Sequence, residues 1–87
     1  MLEKKIVIGN PLGLHARPAA RFVKLSQKLN ADVYLEKDGE RVNGKSILEI
    51  MMLAAEKGDS IKLIVDGEDE KKGIEILGNF LEGEDET

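Results

Sequence analysis

The sequence has no cysteine and no tryptophan, and it spends one residue on histidine, one on tyrosine, two on phenylalanine and two on proline. Without cysteine there is no disulfide, no thiol nucleophile and no thiolate metal ligand, and a single histidine is a poor start for a transition-metal site. Neither a metal nor a cofactor is expected. Phe22, Tyr34 and Phe80 are too few to build a base-stacking platform. Net charge is −4, from 13 basic and 17 acidic residues, which disfavours direct contact with nucleic acid. No apolar run approaches the roughly 20 residues that span a bilayer. The opening "MLEKKIVIG" lacks the apolar stretch and cleavage site of a secretory signal. A cytoplasmic protein without membrane insertion is expected.

What is present suffices for one ordinary globule. The 87 residues make one domain, 1–87, with 41% apolar and 34% charged residues. "KKIVI" (4–8) reads as a first strand, closed by the turn Gly9-Asn10-Pro11. From about Ala16 to Leu29 the period becomes helical, with Ala19, Phe22, Val23, Ser26 and Leu29 on one face. Pro18 fits only the first turn of such a helix, and Asn30 is expected to stop it in a left-handed conformation. "ADVYLEK" (31–37) alternates as a half-buried strand, Asp38-Gly39 signals a hairpin and "ERVN" (40–43) returns. "SILEIMMLAAEKG" (46–58) reads as a short helix stopped by Gly58, and "SIKLIV" (60–65) as a strand with Ile61, Leu63 and Val65 inward. "DEKKGIEILGNFL" (69–81) is a last amphipathic helix carrying Ile74, Leu77 and Leu81, weakened by Gly73 and Gly78, so that its end is expected to fray. Residues 83–87 read as a flexible, solvated acidic tail. The order β-α-β-β-α-β-α predicts an α+β fold: a four-stranded antiparallel sheet with helices on one face and water on the other.

The only histidine, His15, stands in "GLHARPA", at or just before the first turn of the first helix. A lone histidine is more often a surface or hydrogen-bonded residue than a reacting group. Its surroundings point further. Unpaired backbone N–H groups and the positive end of the helix dipole stabilise an anion there. Arg17 adds a guanidinium that forks onto phosphoryl oxygens, and Gly13 allows a tight turn. An uncharged imidazole with an anion clamp beside it is equipped to accept a phosphoryl group. A small phosphate-ester hydrolase using His15 and Arg17 is a rival reading, but no carboxylate base or metal set accompanies it.

The stretch "GLHARPAARFVKLSQKLNADVYLEKDGERVNGKSILEIMMLAAEKGDSIKL" resembles the HPr family, the histidine-containing phosphocarriers of the bacterial phosphoenolpyruvate:sugar phosphotransferase system. "GLHARPA" is a specific signature, and "VNGKSI" with "AAEKGDSI" is a second match. The resemblance implies an open-faced β-sandwich of four strands and three helices. It implies that His15 accepts phosphate from enzyme I, on Nδ1, and passes it to a sugar-specific enzyme IIA. Arg17 and the backbone N–H groups of Ala16 and Arg17 would then hold the phosphoryl group. Such a protein is a carrier that is itself phosphorylated, a monomer, and not an enzyme. Leu12 stands where relatives commonly have a polar residue, which predicts altered transfer rates rather than lost function. An HPr-like regulator that has left sugar transport is the nearest alternative; such relatives tend to lose the histidine that this chain keeps.

Ser46 has two readings. With Glu49 it forms the capping-box pattern S-x-x-E, each side chain accepting a backbone N–H at the other's position. The resemblance adds regulatory phosphorylation at Ser46 by HPr kinase/phosphorylase, producing a corepressor for a catabolite-control transcription regulator. The same short helix is too apolar for one buried face. A helical wheel turns Ile47, Ile50, Met51 and Ala54 inward. The resemblance instead buries Ile50 and Leu53 and leaves Ile47, Leu48, Met51 and Met52 at the surface as an adaptable docking patch, joined by Ala20, Lys24 and Gln27 of the first helix.

Overall fold

The computed structural model describes residues 1–83; Glu84 to Thr87, most of the proposed acidic tail, lie outside the described residues. The elements run β1 (Leu2–Val7), α1 (Ala16–Gln27), β2 (Ala31–Lys37), β3 (Glu40–Asn43), α2 (Ile47–Leu53), β4 (Ser60–Gly67) and α3 (Glu70–Leu81). The four strands form one sheet in the order β1-β4-β2-β3, antiparallel throughout. No helix among the described residues is long and apolar enough to cross a membrane.

Strand alternation decides which side chains meet the helices. Pairing sets Ile6 against Ile61, Val65 against Val33, and Leu63 against Leu35, which in turn faces Val42, and all of these are buried. Over that face α1 lays Ala19, Phe22 and Val23, α2 lays Ile50 and Leu53, and α3 lays Leu77, Phe80 and Leu81. The rings of Phe22 and Phe80 sit 6.3 Å apart, within the range of favourable tilted aromatic contacts. The opposite face carries charge: Arg41 pairs with Glu36 and lies over the Tyr34 ring, and Lys62 pairs with Glu3. Ile64 is the exception there, buried to 1% exposure between its register neighbours Glu3 and Tyr34.

The α+β reading and all seven elements are present, with four corrections. Asn30 does not terminate α1 in a left-handed conformation; the cap is Lys28 in right-handed geometry, and Asn30 instead binds Glu68 and Asp69 at the start of α3. Gly58 does not end α2. That helix stops at Ala54, whose φ of +55° places a non-glycine residue in the left-handed region, and Gly58 belongs to the following turn. The capping box is only half formed, since the Ser46 Oγ accepts from Glu49 N while the Glu49 carboxylate accepts from Asn43 N instead of Ser46 N. Finally, the glycines do not interrupt α3: it runs through both of them to Leu81, and a Cβ on Gly73 would come within 2.9 Å of Val65 Cγ1. Glycine there lets the helix approach β4 closely.

The turn Asp38-Gly39 has both residues at positive φ, 51° and 83°, which is the mirror-image hairpin turn that the pair predicted. Ser26 lies fully buried in α1, and its Oγ has no partner among the described residues. A buried hydroxyl without a partner costs about 1–3 kcal/mol, and alanine is the better helix former. Ser26→Ala is therefore expected to stabilise the fold by about 1 kcal/mol in chemical denaturation. A loss of stability would show that the hydroxyl is satisfied in solution.

Candidate functional site

The site is built where the chain leaves β1 and enters α1. Ile8 N donates to Asp59 O at 2.9 Å, Gly58 N to Ile8 O at 2.8 Å, and Leu14 N to Ala55 O at 2.9 Å. Residues 8–14 are thus stitched onto the loop that follows α2. Asn10 shapes the turn between these anchors, its Oδ1 accepting from Leu12 N and its carbonyl from Gly13 N. Gly13 has φ +63°, and a Cβ there would lie 2.8 Å from Ala55 O and 2.9 Å from Glu56 Cα. Only glycine answers both demands. The buried Leu14 fastens the end of the segment. The receiving loop is braced by Asp59, whose carboxylate accepts from Glu56 N at 2.8 Å and pairs with Lys37 at 3.1 Å. These contacts, the Glu56 N–H first, hold the Asp59 carboxyl below its ordinary value.

His15 emerges from this cradle as the N-cap of α1, with φ −79° and ψ −173°. Its ring makes no capping hydrogen bond and is exposed. The first helical hydrogen bond runs from Ala19 N to His15 O at 2.8 Å. Among the described residues the amides of Ala16 and Arg17 have no partner, and Pro18 has no N–H to offer. No acidic residue stands in the first turn to neutralise the positive helix end. An exposed imidazole therefore lies directly before two open backbone donors.

Arg17 follows in the first turn of α1, with an exposed side chain. Its guanidinium forms no hydrogen bond or ion pair among the described residues, and none to His15. It lines a shallow groove of about 290 Å³ together with Asn10, Pro11, Leu12, Arg21 and Phe80, and His15 is not part of that lining. Asn10 and Arg21 were not singled out from the sequence. The available signals were the i, i+4 spacing of Arg17 and Arg21 and the polar residue inside the Gly9-Asn10-Pro11 turn.

Ser46 caps α2, its Oγ accepting from Glu49 N at 3.3 Å, and remains partly exposed. The wheel reading of α2 is wrong and the resemblance is right about which residues are covered. Ile50 and Leu53 are buried, whereas Ile47, Leu48, Met51 and Met52 are 43%, 66%, 42% and 67% exposed. Ala54 is exposed too. On α1, which packs beside α2, Ala20, Lys24 and Gln27 are exposed. Among the described residues no cluster of three or more His, Cys, Asp or Glu could hold a metal ion.

Comparison with known proteins shows the family and the fold. The PTS-HPr family model, the PTS HPr component phosphorylation site, covers residues 2–83. Phosphocarrier protein HPr of Neisseria meningitidis is 43% identical over 95% of this chain and 93% of its own length. The HPr-like protein Crh of Bacillus subtilis is 43% identical over 97% of this chain and 99% of its own. Its crystal structure, a catabolite repression protein solved as an intertwined, swapped dimer, aligns with a TM-score of 0.79 at 41% identity over the full length of both chains. HPr-C-His of Thermoanaerobacter tengcongensis aligns over the full length of both chains with a TM-score of 0.91 and 42% identity. With the match running from the first strand to the turn beyond the last helix, the chain belongs to the HPr family of phosphocarriers.

Proposed function

We propose that this protein is the phosphocarrier of a phosphoenolpyruvate-dependent sugar phosphotransferase system. His15 takes a phosphoryl group from enzyme I, itself charged by phosphoenolpyruvate, and passes it to sugar-specific enzyme IIA domains. The observation that carries the reading is the exposed, uncommitted ring of His15 standing before the open amides of Ala16 and Arg17. In the transfer, the imidazole Nδ1 lone pair forms a P–N bond as the bond between phosphorus and enzyme I breaks. The negative oxygens then meet two backbone donors at a positive helix end, donors already oriented by the helix before the reaction begins. Arg17 is two residues beyond His15 and has no competing ion pair among the described residues, so a swing of its side chain brings a planar fork to the same oxygens. In the second transfer the same contacts hold the group until enzyme IIA accepts it.

Docking uses the apolar surface of α2, Ile47, Leu48, Met51 and Met52, with Ala20, Lys24 and Gln27 of α1. Exposed methionines and leucine adapt to more than one partner, which a carrier that meets two proteins in turn requires. The protein works in the cytoplasm as a monomer. Ser46 is the regulatory position: HPr kinase/phosphorylase modifies it, and the product serves a catabolite-control transcription regulator. A second reading, a regulator of carbon catabolite control without a transport role, draws on the similarity to Crh. The presence of His15 favours the carrier.

Three outcomes test this reading. His15→Ala, at an exposed position, is expected to fold normally and to gain no acid-labile, base-stable phosphoryl mass from enzyme I and phosphoenolpyruvate. Such a mass on the variant would remove His15 from the mechanism. Leu48→Asp is expected to weaken enzyme I binding about tenfold while changing stability by less than about 0.5 kcal/mol. A large drop in melting temperature without a binding defect would contradict the docking patch. Ser46→Asp keeps an N-cap oxygen, so α2 should persist, but it sets a charge beside Ile47 and Leu48. Its Kd for enzyme I, read by calorimetric titration, is expected to rise about threefold (about 0.7 kcal/mol); an unchanged value would leave Ser46 as a cap alone.

A further inference from the structure

Methionine ordinarily fills gaps in a core, yet none of the three methionines here lies in the core. Met1, Met51 and Met52 are 62%, 42% and 67% exposed. Met51 and Met52 are neighbours on α2, one turn beyond Ile47 and Leu48 respectively, so each thioether borders an exposed aliphatic side chain. The helix itself is held from its other side. Ile50 and Leu53 bury it, the Ser46 Oγ caps its start, and Ala54 N donates to Met51 O at its end. A chemical change at the two sulfurs therefore alters the surface and leaves the anchorage of the helix intact. With no cysteine in the chain, no thiol competes for an oxidant, and the exposed thioethers are its most readily oxidised groups.

We propose that Met51 and Met52 are a reversible oxidation site whose sulfoxides close the outer face of α2 to its partner. The oxidant is a hydroperoxide. A sulfur lone pair attacks one peroxide oxygen, the S–O bond forms as the O–O bond breaks, and sulfur gives up two electrons. With hydrogen peroxide, the departing oxygen leaves as water after taking the proton carried by the transferred one. A thiol-dependent reductase reverses the step, two thiols becoming a disulfide while the sulfoxide oxygen leaves as water. Each sulfoxide replaces an adaptable apolar contact with a polar oxygen, which must shed its water when a partner packs over it. The proposal rests on the reading of this face as the docking surface for enzyme I, and adds that peroxide turns the docking off.

The test follows the full-length protein before and after treatment with hydrogen peroxide. Peptide mass spectrometry places the sulfoxides, and calorimetric titration reads the Kd for enzyme I. Sulfoxide is expected at Met51 and Met52 of the folded protein, with Kd raised about tenfold and the melting temperature changed by less than about 2 °C. Methionine sulfoxide reductase with a thiol is expected to return Kd to within about twofold of its starting value. The double variant Met51→Leu/Met52→Leu keeps Met1, so peroxide still meets one exposed thioether there. Whatever the starting affinity of that variant, its Kd is expected to change by less than about twofold on treatment. Unoxidised Met51 and Met52, an oxidised protein that binds as tightly as before, an affinity the reductase does not restore, or an equal loss in the double variant would each overturn the proposal. Leu48→Asp separates it from the docking reading. Weakened binding in Leu48→Asp with undiminished binding after oxidation overturns the oxidation site alone, whereas no loss in either overturns both.

Discussion

The close approach of Gly13 to the backbone of Ala55 and Glu56 is the constraint on which the site depends. With no Cβ at residue 13, the Leu14 amide reaches the Ala55 carbonyl, and Leu14 enters the core one residue before the helix begins. The main chain of His15 is thereby held while its ring stays outside. A side chain at residue 13 would have to push the two loops apart in a conformation that disfavours it anyway. The loop after α2 is held in its turn by Asp59 and by Lys37 at the end of β2, so the geometry of His15 is tied through that loop to the sheet. Precision at the reacting residue comes from backbone contacts between two loops that a rigid sheet anchors at both ends.

Electrostatics follow from that placement. The protein carries a net charge of −4, yet the first turn of α1 has no acidic residue and Arg17 and Arg21 succeed one another along its flank. The local field is thus opposite in sign to the global one. On the proposed function, a phosphoryl group at His15 would meet open amides and a nearby guanidinium instead of the acidic majority. The outer face of α2, the proposed docking patch, supplies the complementary property. It is apolar and exposed, so partners gain affinity from burial there and need no strong charge contact at the transfer site itself.

Much of this was legible in the sequence. Alternation in 31–37 and 60–65, the Asp38-Gly39 turn and the position of Pro18 are local rules, and local rules give the elements in their right order and type. His15 was legible because it is the only histidine and stands at a helix start. Other features depend on tertiary contact and were misread. Ala54 ends α2 in a left-handed conformation that local preference would assign to a glycine, and Gly58 was the nearest candidate. Gly73 looked like a weak point in a helix, whereas its meaning lies across the interface in Val65 and Leu29. The orientation of α2 was also beyond the wheel, since seven residues give too little arc to distinguish neighbouring faces. The role of Asn10, whose Oδ1 accepts from Leu12 N, exists only once the turn has formed.

The central claim is that the cradle delivers His15 to the open end of α1 as the phosphoacceptor. The most direct test is NMR of the 15N-labelled protein before and after phosphorylation by enzyme I and phosphoenolpyruvate. The account predicts a single phosphoryl group on the His15 ring, with the largest amide shifts at Ala16 and Arg17 as their N–H groups engage its oxygens. Modification at any other residue, or unshifted Ala16 and Arg17 amides in a fully phosphorylated protein, would contradict it.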